Sequence, residues 1–161
     1  MIPQTSRSSQ RGLTFVELLT AAAILAILAG LAMPTLRWEE KRRKEVQLKM
    51  ALESMRGAID QYKKFFDEGR IQQQDVDQWG YPLSLEELVE GVELTGEEAL
   101  TKKSMKFLRR IPVDPFTGEA TWGMRSYQDD WDSDSWGGEN VYDVYSLSDR
   151  KALDGTYYKD W

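Results

Sequence analysis

The side chains that could carry chemistry in this sequence are carboxylates, hydroxyls and amines, because its 161 residues include no His and no Cys. Thiolate and imidazole are thereby excluded as nucleophiles, as general bases and as ligands for soft metals. No pair of Asp or Glu residues has a spacing that suggests an acid working with a base. The sequence therefore favours a protein that is not an enzyme.

One carboxylate lies in unusual surroundings. Glu17 directly precedes residues 18–36, an uncharged run of mostly Leu, Ala and Ile. At a rise of about 1.5 Å per residue, a helix of this length crosses a bilayer core of about 30 Å. An acid inside a membrane usually marks a cationic partner, since the unpaired charge costs up to about 3 kcal/mol. We predict a membrane helix in which Glu17 pairs with a cation, the alternative being a position for Glu17 among the lipid headgroups.

A cleaved secretory signal is a second interpretation of the same segment, because Arg7 and Arg11 precede the apolar run. The run is longer than a typical signal core, and no small-x-small cleavage site separates it from the charged residues that follow. Arg37 and the basic residues 41–44 lie beyond it, so the charge asymmetry predicts its orientation only weakly. A membrane helix remains the favoured interpretation.

An amphipathic helix is predicted directly after the apolar run. Six apolar residues recur at spacings of four and three, which indicates one buried helical face: Leu48, Leu52, Met55, Ile59, Tyr62 and Phe66. Gly69 is a suitable residue just past the end. We therefore predict one helix over residues 13–68, whose first half needs cover from outside the chain.

Turns, short strands and loops are predicted for residues 69–161. Ser84 and Glu87 have the spacing of a capping box, which predicts a short helix ending near Gly91. The charged residues 93–103 indicate a surface loop or a second short helix.

Two strands, at residues 120–127 and 140–148, are predicted by turn residues and alternating side chains. A long helix packed on a small antiparallel sheet with long loops, an α+β fold, is the simplest core that these parts allow.

The acidic residues suggest what the head could bind. A formal net charge of -6 argues against a nucleic-acid partner. Oxygen ligands for a hard ion such as calcium occur in two places: Asp149, Asp154 and Asp160 in the tail, and Asp130, Asp132 and Asp134 at alternate positions of a loop. The loop set lacks the Gly and Glu of a complete EF-hand. Either set could instead be a solvated acidic surface.

The six Trp residues permit a ligand-binding surface, above all Trp131 and Trp136 in the acidic loop. Aromatic residues more often pack loops onto a small sheet, and on that interpretation Trp122 and Trp161 belong to the core.

The residues RGLTFVELL, at positions 11–19, resemble the N-terminal signal of type IV pilins and of the pseudopilins of type II secretion. That signal is a short basic leader ending in Gly, followed by an apolar helix with Glu as its fifth residue. The resemblance implies cleavage between Gly12 and Leu13 and methylation of the new amine on Leu13. It also implies that Leu13, Phe15 and Glu17 take part in subunit assembly, Glu17 neutralising the amine of a neighbouring subunit.

A helix kink is predicted at Gly30 and Pro34. Pro34 lacks the N–H that would bond to the carbonyl of Gly30, and its ring crowds that carbonyl. The family has a kinking proline at the corresponding place. The resemblance implies that this segment stretches when subunits pack into a filament.

Three later stretches are similar to the major, G-type pseudopilin: YPLSLEELV, FLRRIPVDPFTG and DVYSLSD. The resemblance therefore runs along most of the chain and implies a pilin-like fold. It divides the chain into a cleaved leader at 1–12, a membrane and assembly half-helix at 13–36, an amphipathic half-helix at 37–68 and a periplasmic head at 69–161. Because G-type pseudopilins bind calcium in the C-terminal loop, it also favours Asp149, Asp154 and Asp160 as the calcium ligands.

The function implied by the resemblance is that of a structural subunit. It would be cut by prepilin peptidase, held in the inner membrane by one span, and added to a helical homo-oligomeric filament in the periplasm that drives protein export. Its partners would be the inner-membrane secretion platform and the minor pseudopilins. The alternatives are a type IV pilus pilin and a single-pass membrane-anchored binding module.

Overall fold

The computed structural model describes residues 14–72, 76–100, 103–130, 132–133 and 135–161; the side chains of residues 31–36, 76 and 97–98 lie outside the description. The chain forms two compact units, one ending at Glu40 and the other spanning Lys41–Trp161. Its elements are α1 (Phe15–Asp67), α2 (Leu85–Glu90), β1 (Val92–Glu93), β2 (Ser104–Met105), β3 (Gly123–Arg125) and β4 (Asp143–Tyr145), with 3₁₀ turns at Val76–Gln78, Gly96–Leu100 and Tyr158–Asp160.

Helix α1 follows the predicted boundaries to within two residues. The predicted apolar face is buried at Leu48, Leu52, Met55, Ile59 and Tyr62, while Phe66 packs against the core at its edge. The helix ends where the chain takes a positive φ of 70° at Gly69, a conformation that glycine adopts without steric cost. The amide of Gly69 then donates to the carbonyl of Phe66 at 2.8 Å.

Helix α2 confirms the predicted capping box. The Ser84 hydroxyl accepts a hydrogen bond from the Glu87 amide at 3.4 Å, and the Glu87 carboxylate accepts one from the Leu83 amide at 2.7 Å. The helix ends at Gly91, as predicted, with a φ of 97°. Leu85 and Leu88 form its buried face.

The strands of the described residues form two separate antiparallel pairs, β1 with β2 and β3 with β4. The predicted strands at 120–127 and 140–148 exist only as β3 and β4, so both predictions were too long. Where β3 ends and β4 begins, the physical reason is competition from side chains: the Tyr127 amide donates to the Asn140 side-chain oxygen at 2.9 Å, and the Ser126 amide donates to the Asp129 carboxylate at 2.7 Å. These bonds replace the next rungs of the ladder.

Within residues 93–103, the described part contains the 3₁₀ turn Gly96–Leu100, between the two strands of the β1–β2 pair. Sequence reasoning missed this pair, because each strand has only two residues.

The core of the larger unit lies between α1 and the loops and strands that follow it. Trp122 belongs to it, as predicted, and its indole N–H donates to the Pro112 carbonyl at 2.9 Å. Trp161 is only partly buried at its edge. Asp114 is fully buried and holds the turn that follows it, accepting from the Phe116 amide at 2.7 Å and from the Ser146 hydroxyl at 2.5 Å. The long helix with small antiparallel strand pairs confirms the predicted α+β, pilin-like fold.

Candidate assembly surface and head clamp

The first turn of α1 is built around Thr14 and Glu17. The Thr14 hydroxyl accepts from the Glu17 amide at 3.3 Å, and the Thr20 hydroxyl donates to the Glu17 carbonyl at 2.9 Å. Thr14 thus caps the helix, and the negative charge of Glu17 lies beside the positive end of the helix dipole. Sequence reasoning missed Thr14, although its position three residues before Glu17 is the spacing of a capping box.

The helix that follows this turn is apolar on every side and exposed. Residues 14–30 are all exposed, including eight large apolar side chains that are 52% to 76% exposed: Phe15, Val16, Leu18, Leu19, Ile24, Leu25, Ile27 and Leu28. A helix with this composition is normally buried, in a large core or in lipid. In this structure the apolar side chains of residues 14–30 are left uncovered.

The structure describes only some of the residues that were predicted to act in this segment. Gly12 and Leu13 lie outside the described residues, so cleavage, methylation and the pairing of Glu17 with an amine stay predictions. Helix α1 continues through Gly30 and the backbone of Pro34, and the kink also stays a prediction.

Phe15 is the most exposed of the eight apolar side chains, and its contact role in assembly stays a prediction. In the part of the chain that the structure describes, no helix has both the length and the apolar character that crossing a membrane requires. The membrane half at 13–36 stays a prediction.

A second arrangement, at Arg56 of α1, joins three parts of the head. Its guanidinium donates to the Asp143 carboxylate on β4 at 2.7 and 3.4 Å, and one nitrogen also donates to the Val144 carbonyl at 3.1 Å. That nitrogen donates again to the main-chain oxygen of Trp161 at 2.8 Å. One side chain therefore ties the helix to a strand and to the tail, and hydrogen bonds that involve an ionised donor are the stronger kind.

Glu45, which lies on α1 eleven positions before Arg56, also holds the tail to this helix. Its carboxylate accepts from the Leu153 amide at 2.8 Å and from the Tyr158 hydroxyl at 2.9 Å. Between the two clamping residues, the Lys49 ammonium lies 4.5 Å from the centre of the Trp161 ring. We call Glu45, Lys49 and Arg56 the tail clamp.

Two buried tyrosines reinforce these contacts. Burial raises the pKa of Tyr62, and the neighbouring Glu87 carboxylate, which accepts its hydroxyl at 2.9 Å, raises that pKa further. Burial likewise raises the pKa of Tyr158, with the hydrogen bond to Glu45 as the next cause. Both hydroxyls therefore stay protonated donors well above neutral pH.

The N-terminal segment is similar to known proteins. Residues 7–33 match the family described as the prokaryotic N-terminal methylation motif. Over 140 residues the chain is 26% identical to the type II secretion system core protein G of Klebsiella pneumoniae, with 86% of this chain and 84% of that protein covered. These matches make the chain similar to type IV pilin-like proteins. Its predicted resemblance to G-type pseudopilins is confirmed, and no solved structure is significantly similar to it.

Calcium binding is predicted from Asp149, Asp154 and Asp160. Within the described ranges, no three Asp, Glu, His or Cys side chains form a group that could hold a metal ion. The Asp154 carboxylate accepts from the Thr156 hydroxyl at 2.6 Å and from the Thr156 amide at 2.9 Å. These bonds, the hydroxyl's first, lower the pKa of Asp154. Calcium binding stays a prediction.

Of the alternative loop set, Asp130 and Asp132 lie at exposed positions, whereas Asp134 is outside the described residues. Trp131, proposed for ligand binding, is also outside them. Trp136 is 38% exposed, and its indole N–H donates to the Asn140 carbonyl at 2.8 Å.

Sequence reasoning missed the tail clamp of the head. Glu45 and Arg56 flank the apolar stripe of α1, a position typical of charged residues that reach over the edge of a core. Their partners lie 87 to 113 residues away in the sequence, and no local spacing links them.

Proposed function

We propose that this chain is a structural subunit of a type II secretion pseudopilus. In this proposal prepilin peptidase cuts after Gly12, the new amine of Leu13 is methylated, and residues 13–36 anchor the subunit in the inner membrane. Subunits then assemble through this helix into a periplasmic filament whose growth drives protein export. The methylation motif and the likeness to a type II secretion core protein support this proposal.

The observation that carries the proposal is the exposed apolar segment of α1, with Glu17 in its first turn. Lipid before assembly, and neighbouring helices after it, would supply the cover that this segment lacks within the chain. Cleavage would create an ammonium group four residues before Glu17. In a low-dielectric setting that ammonium would be the natural partner of the Glu17 carboxylate of the next subunit.

The partners follow from the same proposal. The main partner is a second copy of the chain, in a helical homo-oligomer; prepilin peptidase, the inner-membrane secretion platform and the minor pseudopilins are the others. The subunit would have no catalytic role. Its head would lie in the periplasm before and after assembly.

Replacement of Glu17 tests the proposal directly. We expect Glu17→Ala and Glu17→Val to abolish filaments seen by electron microscopy while the leader is still removed. Glu53→Ala is the matched control, because Glu53 is an exposed carboxylate on the same helix. Normal filaments from both Glu17 variants would refute the assembly role of this residue.

Mass spectrometry of the purified protein tests processing. The expected mature chain begins at Leu13 and carries one added methyl group. A functional membrane-bound form that retains Met1 would contradict the proposed cleavage.

A further inference from the structure

An exposed cluster of aromatic rings lies on the head, remote in sequence from the proposed assembly helix. It consists of Trp79, Tyr81, Tyr127 and Tyr142, which we call the aromatic surface. Tyr127 is at its centre, stacked on Trp79 with ring centres 5.9 Å apart, stacked on Tyr81 at 5.7 Å, and edge-on to Tyr142 at 5.4 Å. Trp79, Tyr127 and Tyr142 are 57%, 51% and 47% exposed. Rings that are ordered against one another yet open to solvent are typical of binding surfaces.

The backbone that presents this surface is held in place. Trp79 has a φ of 53°, an uncommon conformation for a residue with a bulky side chain. The side chains of Gln128 and Asn140 both donate to the Asp77 carbonyl, at 2.9 and 3.1 Å, and so fasten the loop after Tyr127 to the turn before Trp79. The surface is therefore pre-organised.

The surroundings of the aromatic surface favour a cation. The described residues between 128 and 140 include four acids, Asp129, Asp130, Asp132 and Glu139, and no Lys or Arg. The Lys63 ammonium already lies 5.7 Å from the centre of the Tyr81 ring. Ring faces attract cations, and a nearby negative potential adds to that attraction.

A complementary stripe lies on α1 of the same unit. Arg42, Val46 and Met50 follow one another at a spacing of four, so they share one helical face. Arg42 is exposed, and Val46 and Met50 are 51% and 63% exposed, on the side opposite to the buried Leu48 and Leu52. We call these three residues the helix stripe. A guanidinium and a thioether are both favourable partners for aromatic rings.

We propose that the aromatic surface binds the helix stripe of a second copy of this chain. The two cannot meet within one copy, because Lys63 contacts Tyr81 from the same continuous helix that carries Arg42. Arg42 precedes Lys63 by 21 positions, which separates the two residues by about 30 Å along the helix axis.

A contact between two different patches on identical chains is heterologous, and such contacts propagate into open helical filaments when they do not close into a ring. This inference rests on the proposed function and deepens it, because it names a contact of the head between two subunits. The two subunits would be displaced from each other by about 30 Å.

Paired cysteines test the contact, and the chain offers a clean background because it contains none. We expect full-length chains carrying both Val46→Cys and Tyr127→Cys to give, in oxidised filaments, a ladder of disulfide-linked dimers, trimers and higher oligomers. A mixture of the two single variants should stop at dimers. The matched control pairs Val46→Cys with Arg109→Cys, at another exposed position, and should give no ladder.

Unlinked variants give a second readout. We expect Tyr127→Ala to raise the concentration needed for filament formation roughly two- to fivefold, and Arg42→Glu to do the same, as loss of an exposed cation–π contact predicts. Tyr127→Phe keeps the ring and should assemble normally.

Each result decides between the two proposals. Filaments that form without the ladder, or an equal ladder from the control pair, would overturn the inference and leave the proposed function standing. The inference would also be overturned if Tyr127→Ala assembled normally but no longer bound some other protein or a sugar. That result would show that the aromatic surface binds a different partner. A wild-type chain that is processed but forms no filaments would refute the proposed function itself.

Discussion

The Arg56 side chain on α1 and the Asp143 carboxylate on β4 form a two-point ion pair, with nitrogen to oxygen distances of 2.7 and 3.4 Å. Because Arg56 also donates to the main-chain oxygens of Val144 and Trp161, the pair fixes the tail and the β3–β4 ladder to the helix at one point. The chain has no disulfide that could do this.

Loss of this ion pair should weaken the head. The Arg56 and Asp143 side chains are 38% and 28% exposed, so solvent screens part of the attraction. We expect Arg56→Ala to lower the free energy of unfolding by about 1–2 kcal/mol, because carbonyl and carboxylate acceptors lose a charged donor. Urea unfolding of the full chain followed by Trp fluorescence measures the loss. Arg56→Lys should keep the charge but lose the two-point geometry, so we expect its free energy of unfolding to lie between those of the wild type and Arg56→Ala. Equal stability of all three proteins would contradict a clamping role.

Alkaline pH should also destabilise the head. Burial raises the pKa of Tyr62 and Tyr158 above the ordinary phenol value of about 10. The folded protein then holds protons that the unfolded chain releases, so this stabilisation is complete below about pH 10 and is lost as the pH rises toward the raised pKa values.

The measurement is the free energy of unfolding between neutral pH and strongly alkaline pH. Tyr62→Phe removes one titrating hydroxyl and should therefore show a shallower alkaline decline, although it is less stable at neutral pH for want of the bond to Glu87. An equally steep decline in the variant would argue against a raised pKa at Tyr62.

Two glycines should respond to alanine in opposite directions. A Cβ at Gly123 on β3 would lie 2.3 Å from the ring of Tyr145, which is only 6% exposed. We expect Gly123→Ala to cost about 1–3 kcal/mol through overpacking.

At Gly57, inside α1, a Cβ would meet nothing within 4 Å. Gly57→Ala should therefore raise stability by roughly 0.5–1 kcal/mol, through helix propensity. Thermal unfolding of both variants under identical conditions provides the test, and a shift of the same sign in both would contradict the packing argument.

The effect of calcium on the melting temperature tells whether a metal ion or the tail clamp holds the tail. A calcium ion held by Asp149, Asp154 and Asp160 would stabilise the folded chain, so chelation would lower the melting temperature of the wild type but not that of Asp160→Ala. The contacts of Glu45, Lys49 and Arg56 need no metal, so a melting temperature that chelation leaves unchanged would mean that the tail clamp alone holds the tail. A clear decrease in the wild type alone would establish the metal site.

The sequence by itself determined the long helix, its buried stripe and its end. Periodic apolar residues, the positive φ of Gly69 and the Ser84 and Glu87 capping box act within a few residues of one another, so their spacing carries the information. The motif around Gly12 and Glu17 is local in the same way, and it indicated the similarity to pilin-like proteins.

Tertiary structure alone decided how the head is closed. The strands are shorter than their patterns predicted, because Asn140 and Asp129 take the amides that would have extended β3. The tail is held by Glu45 and Arg56, and the rings of Trp79, Tyr81, Tyr127 and Tyr142 gather from three separate stretches of sequence. These contacts join residues tens of positions apart, and their partners are selected by the packing of the whole head, which no local spacing records.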